Sequence, residues 1–336
     1  MRKWLSPAFL ALLAICGCSA GRNSGSIGGG GNSGLGQLYV ASNSSILHFS
    51  NALAATGNVT PVATISGAAT TLSSPQHLLV DPTANRLFIA NSGASSVLVY
   101  ENVAAVTGNT PPTRTISGSA TQLVVPHDLA LDTVNNAIFV ADGTQILVFQ
   151  SASTANGNVP PIHNISMGFA VGAIALDVTN NRLYVADTSG NAIDRLEGAN
   201  LQDGTPVIAA TISGAATGLA RPQGLALDST DRLLVSNAAA KSITIYSGAS
   251  TANGNVTPVA TISGPATLLS GPDQITLNSS VNNGELTVAD PLGAAVLVFN
   301  NITLANGNVA PARTISGTST GLVANGVNGV ALDPTR

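Results

Sequence analysis

The residues best suited to bind a metal ion or transfer a proton are His77, His127, Asp128 and Asp273. Imidazole and carboxylate groups are ligands of borderline divalent metals, and a histidine–carboxylate pair can also transfer protons. Each residue lies within the two positions that precede a short apolar run. These runs are LLVD at 78–81, LALD at 129–132 and ITLN at 275–278. If the runs are equivalent parts of a repeating fold, the four side chains lie close together despite their separation in sequence.

The apolar runs belong to a unit of about 50 residues that recurs along the chain. A glycine turn marks each copy, at Gly57, Gly108, Gly157, Gly204, Gly254 and Gly307. A period in this range indicates a repeat architecture. With 35 glycines, 17 prolines and only 8% charged residues, the composition disfavours long helices and is typical of short strands joined by tight turns.

Each copy contains four strand-like runs. The first is apolar with a small residue in the middle, such as Ala130 or Ala226, which predicts an inner strand buried on both faces. The second, such as LFIAN at 87–91, follows a turn rich in Asp and Asn. The third alternates in polarity, and the fourth is the most polar. Four antiparallel strands repeated six times predict an all-β, six-bladed β-propeller.

Several repeated columns of residues are expected to be structural. The third run ends in an aromatic residue in five copies, which predicts packing between blades; these residues are Phe49, Tyr100, Phe149, Tyr246 and Phe299. The acids that end the inner strands are expected to stabilise turns; they are Asp81, Asp132, Asp177, Asp228 and Asp333. Arg114, His163 and Arg313 share one position of the fourth run and predict a solvent-facing edge strand. His48 replaces valines of sister copies and is expected to be a packing variant.

The two ends of the repeat region complement each other. The chain stops after VALDPTR at 330–336, which is one inner strand and half a turn. The first copy starts at Gln37 with a second strand and has no inner strand of its own. We therefore expect the sixth blade to take its inner strand from the C-terminal end and its other three strands from the N-terminal end, so that the ring closes without open edges.

The six residue pairs that precede the inner strands should form a ring at the mouth of the central channel. Seven of their members are candidate ligand-binding residues: His77, His127, Asp128, Gln223, Asp273, Gln274 and Asn328. The functional interpretation is a small polar site or a divalent-metal site. The structural alternative is a wet channel mouth, where polar side chains satisfy backbone groups and water.

The first 36 residues read as a processing signal and a tether. Arg2 and Lys3 precede an apolar run that is shorter than the ~20 residues of a membrane-spanning helix. The segment Ile15-Cys16-Gly17-Cys18 resembles a bacterial lipobox, which predicts a lipoprotein signal peptide over residues 1–18, cleavage before Cys18 and lipidation of that cysteine. Residues 19–36 are Gly/Ser-rich, as in flexible linkers, and residues 37–336 form the propeller. The alternative is ordinary cleavage after Ala20, which gives a secreted or periplasmic protein.

The repeated phrases resemble NHL repeats. The segments SPQHLLVDPTANRLFIAN at 74–91 and VGAIALDVTNNRLYVAD at 171–187 carry the resemblance, which extends over residues 37–336. It implies a six-bladed propeller. Related propellers include protein-binding and RNA-binding domains, lactone hydrolases and lyases, so the resemblance implies no single activity. The glutamates, at 101, 197 and 285, lie away from the predicted mouth, which counts against transferring a catalytic set.

The remaining features limit the classes of function. The formal net charge is −4 and no Lys/Arg-rich run follows Lys3, so we expect no nucleic-acid partner. Both cysteines lie in the first 18 residues, so the body has no disulfide framework. We expect a monomeric, non-enzymatic binding or scaffold module, anchored by lipid in the cell envelope, with an envelope protein or a small ligand as its partner and no resident cofactor. The alternative is a metal-dependent lactonase-like or lyase-like enzyme with its site at the channel mouth.

Overall fold

The protein is a six-bladed β-propeller of four-stranded antiparallel sheets, as predicted. The structure is a computed structural model, and it describes residues 36–281 and 283–336. The helical segments in this part of the chain are single 3₁₀ turns in loops. They span Ala68–Thr70, Ser92–Ala94, Val103–Ala105, Ser119–Thr121, Ala199–Leu201, Ala215–Thr217, Pro265–Thr267 and Thr318–Thr320.

The strands follow one another regularly along the chain. The first three, β1 (Gln37–Ser42), β2 (Ser45–Ser50) and β3 (Ala63–Ile65), belong to blade 6. Blade 1 contains β4 (Pro75–Asp81), β5 (Arg86–Asn91), β6 (Ser96–Glu101) and β7 (Arg114–Ile116). Blade 2 contains β8 (Pro126–Asp132), β9 (Ala137–Asp142), β10 (Gln145–Gln150) and β11 (His163–Ser166). Blade 3 contains β12 (Val171–Asp177), β13 (Arg182–Asp187), β14 (Ala192–Glu197) and β15 (Ile208–Ile212). Blade 4 contains β16 (Pro222–Leu227), β17 (Arg232–Asn237), β18 (Ser242–Ser247) and β19 (Ala260–Ser263). Blade 5 contains β20 (Ile275–Asn278), β21 (Glu285–Asp290), β22 (Ala295–Asn300) and β23 (Arg313–Ser316), and β24 (Val327–Asp333) completes blade 6.

The ring closes in the way that the chain ends predict. Strand β24 pairs antiparallel with β1, and the order of blade 6 is β24-β1-β2-β3. Val40 lies opposite Val330, and both side chains are fully buried. The closure thus joins the two ends of the propeller through a ladder of backbone hydrogen bonds and an apolar contact.

The hydrophobic core is divided among the six interfaces between neighbouring blades. Each of six buried clusters combines residues of two adjacent blades; one of them holds Phe88 of blade 1 with Phe149 of blade 2. The five aromatic residues that end the third strands are at most 2% exposed. Their predicted role in packing between blades is confirmed.

The outermost strands are not open edges, which corrects the prediction for the fourth strand. Each makes a parallel bridge to the glycine turn of the next blade, for example Ile65 to Gly108. The Arg114 side chain is only 11% exposed, and its guanidinium lies 2.8 Å from the Glu101 carboxylate. Arg313 lies at the same distance from Glu285 and is equally buried. These arginines therefore act as internal ion-pair partners and do not shield an edge.

The asparagine that follows the glycine turn extends this link between blades. The Asn109 side-chain oxygen accepts a hydrogen bond of 2.7 Å from the Ala69 backbone N–H in the first turn of the neighbouring 3₁₀ segment. Four other copies repeat this bond. The exception is Gly204, which is followed by Thr205, and the blade before it has no 3₁₀ segment at this place. The repeated GN pair is therefore a device that joins blades.

The repeated acids at strand ends stabilise turns, as expected. Asp81 Oδ1 accepts hydrogen bonds from the backbone N–H groups of Thr83 and Ala84, and the other copies follow the same pattern. At the other end of the blades, Asn91 and Asp142 accept hydrogen bonds from the loops that lead into the inner strands. Asn91 and Asp142 therefore hold loops that surround the channel mouth.

His48 is a buried variant of a position that holds valine or isoleucine in four sister blades and Arg195 in blade 3. Its ring stacks on Tyr39 with centroids 4.6 Å apart, and its Nε2 atom lies 2.6 Å from the Gln37 side-chain oxygen. The side chain is 4% exposed, and burial lowers the pKa of its imidazole. The interpretation as a packing variant is confirmed, with a hydrogen bond added.

Candidate ligand-binding site at the channel mouth

A polar pocket of about 390 Å³ opens where the inner strands begin. All seven residues that the sequence predicts for the channel mouth line it. The pocket also includes residues that the sequence reasoning did not name as candidates, among them Gln76, Arg221 and Asn325. A volume of this size is typical of sites for small molecules.

A β-bulge directs residues into this pocket. The inner strands begin earlier than the sequence suggests, so that His77, His127 and Asn328 lie inside their strands. In five blades the pairing with the second strand shifts register at this point, as between Pro126 and Asp128, where His127 is the extra residue. Bulges are common beside functional sites because they redirect a side chain. In these five blades the first residue of the pair thus lies at the mouth.

In blade 2 the second residue of the pair, Asp128, connects neighbouring blades. The Asp128 carboxylate accepts hydrogen bonds from the backbone N–H groups of Leu129, at 2.8 Å, and of Ile174 in the next blade, at 2.6 Å. His77 Nδ1 lies 2.8 Å from Asp128 Oδ1. Nδ1 also lies 3.1 Å from the Leu129 backbone nitrogen, so these contacts join His77 of blade 1 to blade 2, while Asp128 joins blade 2 to blade 3.

Gln274 connects the opposite side of the ring in a similar way. Its side-chain oxygen accepts hydrogen bonds from the N–H groups of Val330, at 2.8 Å, and Leu78, at 3.3 Å. Its amide nitrogen donates to the Leu78 carbonyl. A Cβ atom at Gly329 would lie 2.8 Å from the Gln274 oxygen, so the glycine leaves room for this side chain to cross. Gln274 therefore forms the floor of the pocket, with its polar atoms engaged by backbone.

Both ring nitrogens of His127 also contact protein atoms. Its Nδ1 atom lies 3.2 Å from the Val125 carbonyl oxygen, and its Nε2 atom contacts the carbonyl oxygen of Val171 in the next blade. On the side of the pocket formed by blades 1 to 3, the structural alternative thus accounts for His77, His127 and Asp128.

The other side of the pocket presents polar groups that make no hydrogen bond within the described part of the chain. They are the side chains of Arg221, Gln223, Asp273, Asn325 and Asn328, contributed by blades 4, 5 and 6. The sequence contained a signal for Arg221, because its position is Ser74 in blade 1 and Gly271 in blade 5. A charged residue in one copy of a column that is otherwise uncharged marks a local specialisation.

Asp273 has the most perturbed carboxyl group of the mouth. Its pKa is raised to about 7, mainly by burial and also by the negative charges of Asp128 and Asp290, with Arg221 partly offsetting the rise. The side chain nevertheless keeps part of its surface open to the pocket. Near neutral pH this group therefore exists both as a carboxylic acid and as a carboxylate, so that it can donate or accept a hydrogen bond.

The donor set at the mouth does not match a metal centre. Across residues 36–281 and 283–336, no group of three or more His, Cys, Asp or Glu side chains is placed to hold a metal ion. His77 and Asp128 bind each other, and the ring nitrogens of His127 face carbonyl oxygens. The arrangement is that of a hydrogen-bonding pocket with one cationic side, formed by Arg221.

Comparisons with known proteins show similarity in fold. No protein-family model matches the chain, and no curated protein matches it. Among solved structures 1228 chains match, so the fold alone does not select one function. A chain in the crystal structure of a nidogen/laminin complex has a TM-score of 0.61 and 17% identity, and the match covers 89% of this chain and 98% of that one. A functionally unknown protein from Desulfotomaculum acetoxidans DSM 771 has a TM-score of 0.55 and 14% identity, with 87% and 83% covered.

The fold and the pocket together define the class of protein: a six-bladed β-propeller with a polar pocket at its channel mouth. The narrower assignment to the NHL family rests on the repeated phrases and stays a prediction.

Proposed function

We propose that the protein is a non-enzymatic binding module whose channel-mouth pocket holds a small polar ligand. The observation that carries the proposal is the set of five polar side chains on blades 4 to 6 that make no hydrogen bond to described residues. These side chains are exposed or partly exposed at the pocket, so they can hydrogen-bond a ligand in place of water, as polar groups in concave ligand sites do. The NHL-like phrases support the proposal, because the resembling propellers include binding domains.

We propose further that the protein acts as a monomer anchored by lipid in the bacterial cell envelope. The support is the lipobox-like segment that ends at Cys18 and the serine after it, which favours the outer membrane over the inner membrane. These residues lie outside the described part of the chain. Within that part, no helix is long and apolar enough to cross a membrane.

A detergent-partition experiment tests the anchor. Full-length protein expressed in a bacterial host should enter the detergent phase of Triton X-114, and Cys18→Ala should shift it to the aqueous phase. Cys16→Ala is the matched control, because it removes a neighbouring thiol that the proposed cleavage discards. Equal partition of the two variants would contradict lipidation at Cys18.

The second candidate function is catalysis by the His77–Asp128 pair. The Nδ1–Oδ1 distance of 2.8 Å would orient the imidazole with its Nε2 atom as a proton acceptor. A metal-dependent form of this candidate, of the lactonase or lyase kind, requires a divalent ion at the mouth. Elemental analysis of the purified protein separates it from the binding module, because a stoichiometric divalent metal would support the enzyme.

Ligand capture tests the binding module. The purified protein is incubated with an extract of its own cell envelope, and bound small molecules are detected by native mass spectrometry. We expect an adduct that is lost in Gln223→Ala/Asn328→Ala and kept in Lys241→Ala, an exposed residue that does not line the pocket. An adduct that the pocket variant retains in full would place the ligand elsewhere and overturn the proposal.

A further inference from the structure

The polar side chains without protein partners lie on one side of the pocket. Arg221 and Gln223 come from the start of the blade 4 inner strand, Asp273 precedes the blade 5 inner strand, and Asn325 and Asn328 come from blade 6. On the side of blades 1 to 3, Asp128 and His127 contact backbone groups, and His77 Nδ1 lies against the Asp128 carboxylate. A ligand that depends on hydrogen bonds is therefore expected to be held from blades 4 to 6.

The charges of this side favour an anion. Arg221 is exposed at the pocket and forms no ion pair with the residues that the structure describes. On the other side of the pocket, the Asp128 carboxylate accepts hydrogen bonds from two backbone N–H groups and lies 2.8 Å from His77 Nδ1. When Asp273 is protonated, the groups on this side are a guanidinium, a carboxylic acid and amides, and all of them can donate hydrogen bonds.

Building on the function proposed above, we propose that this side of the pocket binds the carboxylate of a small molecule, paired with Arg221 and hydrogen-bonded by Gln223 and Asn328. Arg221 suits this role because its planar fork donates two parallel hydrogen bonds to a carboxylate. Asp273 donates its proton to the same group. Each carboxylate group carries one negative charge on two coplanar oxygens, which matches the one guanidinium, whereas phosphate carries up to two charges on a single group and would add repulsion from Asp128.

Binding of this kind takes up a proton. The carboxyl of Asp273 faces Asp128 of blade 2, Asp290 of its own blade and Arg221 of blade 4, and His77 and His127 line the same pocket. Below a pH of about 7 the acid is protonated and donates to the ligand. Above that pH it ionises, and two carboxylates then face each other. The affinity should therefore fall by about tenfold for each pH unit above 7.

The test compares succinate with its uncharged counterpart succinamide and with inorganic phosphate, by NMR titration of the isotope-labelled full-length protein between pH 6 and 9. We expect succinate to bind more tightly than the other two. Arg221→Gln should weaken succinate binding about 10- to 100-fold, the range for hydrogen bonds to charged groups. Lys241→Gln, which removes a positive charge outside the pocket, should change it less than twofold.

The Asp273→Asn variant distinguishes a role of Asp273 in ligand binding from a purely structural role. The amide keeps an N–H donor but cannot ionise, so succinate affinity should stay level above pH 7 where that of the parent protein falls. A parallel fall in both proteins would overturn the role of Asp273.

Three outcomes would overturn the carboxylate site itself: no saturable succinate binding, succinamide or phosphate binding at least as well, or Arg221→Gln binding unchanged. The proposed function is judged separately by the captured envelope ligand. A captured ligand without an acidic group would contradict the carboxylate inference and leave the binding module intact.

Discussion

Replacing Val330 by alanine tests the closure of the ring. Val330 is fully buried in β24, opposite Val40, and packs in the cluster shared by blades 5 and 6. The substitution removes the equivalent of two buried methylene groups, at roughly 0.8 kcal/mol each, and leaves a cavity. We expect the free energy of unfolding to fall by about 2–3 kcal/mol.

The measurement is urea unfolding followed by far-ultraviolet circular dichroism at pH 7. Val323→Ala is the matched control, because Val323 lies just before the same strand and is 38% exposed. Its substitution should change the free energy of unfolding by less than about 0.5 kcal/mol. If the two variants unfold at the same urea concentration, the C-terminal strand does not contribute to the core and the closure is wrong.

Three further predictions concern the ring and two titrating groups. Leu38 and Leu332 are cross-strand partners, so the Leu38→Cys/Leu332→Cys protein should form a disulfide on oxidation. The Leu38→Cys/Ala331→Cys protein should not, because a shift of one residue turns the second side chain to the other face of the sheet. Non-reducing electrophoresis distinguishes the cross-linked protein from the protein without a disulfide. Asp273→Asn should stabilise the protein at pH 8. Because its folded pKa of about 7 exceeds the usual value of 3.8, the stability due to its protonated form is lost progressively as pH rises from 3.8 through 7, by roughly 2–4 kcal/mol in total after allowance for exposure to the pocket. Thermal unfolding should therefore show a larger gain at pH 8 than at pH 5, where only part of that stability has been lost. His48→Val should unfold less readily than the parent protein below pH 6, because burial lowers the imidazole pKa and stability is lost as pH falls through the unfolded value near 6.5; equal acid sensitivity of the two proteins would contradict it.

The architecture was predictable from the sequence because every blade has the same local requirements. Phe149 and its counterparts fill interfaces between blades, and Asp81 and its counterparts accept hydrogen bonds from turns. A residue type that recurs at the same position of the repeat therefore indicates a structural role. The same reasoning failed for Arg114 and Arg313, because their ion pairs with Glu101 and Glu285 join different strands, and single columns of the repeat do not show such pairs.

The location of the pocket was predictable from the sequence. The sequence did not show which of its side chains are engaged by the protein and which are left to bind a ligand. Equivalence of the repeats is sufficient to bring His77, Asp273 and Asn328 to one mouth. Whether a side chain is engaged by backbone depends on the bulge and on the neighbouring blade. Gln274, for example, crosses to Val330 because Gly329 leaves space for it. The sequence does not reveal these contacts, because they join residues of different blades whose spacing follows no recognisable pattern.

The repeat also shows how function can be added to a symmetrical scaffold. The links between blades use the same glycine and asparagine in five copies, whereas the mouth differs in every blade. The apolar clusters between blades contain none of the seven predicted mouth residues, so these positions can differ without changing the clusters. The residues that differ between copies are therefore the ones through which ligand specificity is expected to arise.

The most direct test of the central claim is a crystal structure of the protein after incubation with its own envelope extract. We expect electron density for a bound molecule in the channel-mouth pocket, within hydrogen-bonding distance of Gln223 and Asn328. Density for a bound molecule on another face, with water alone in the pocket, would contradict it.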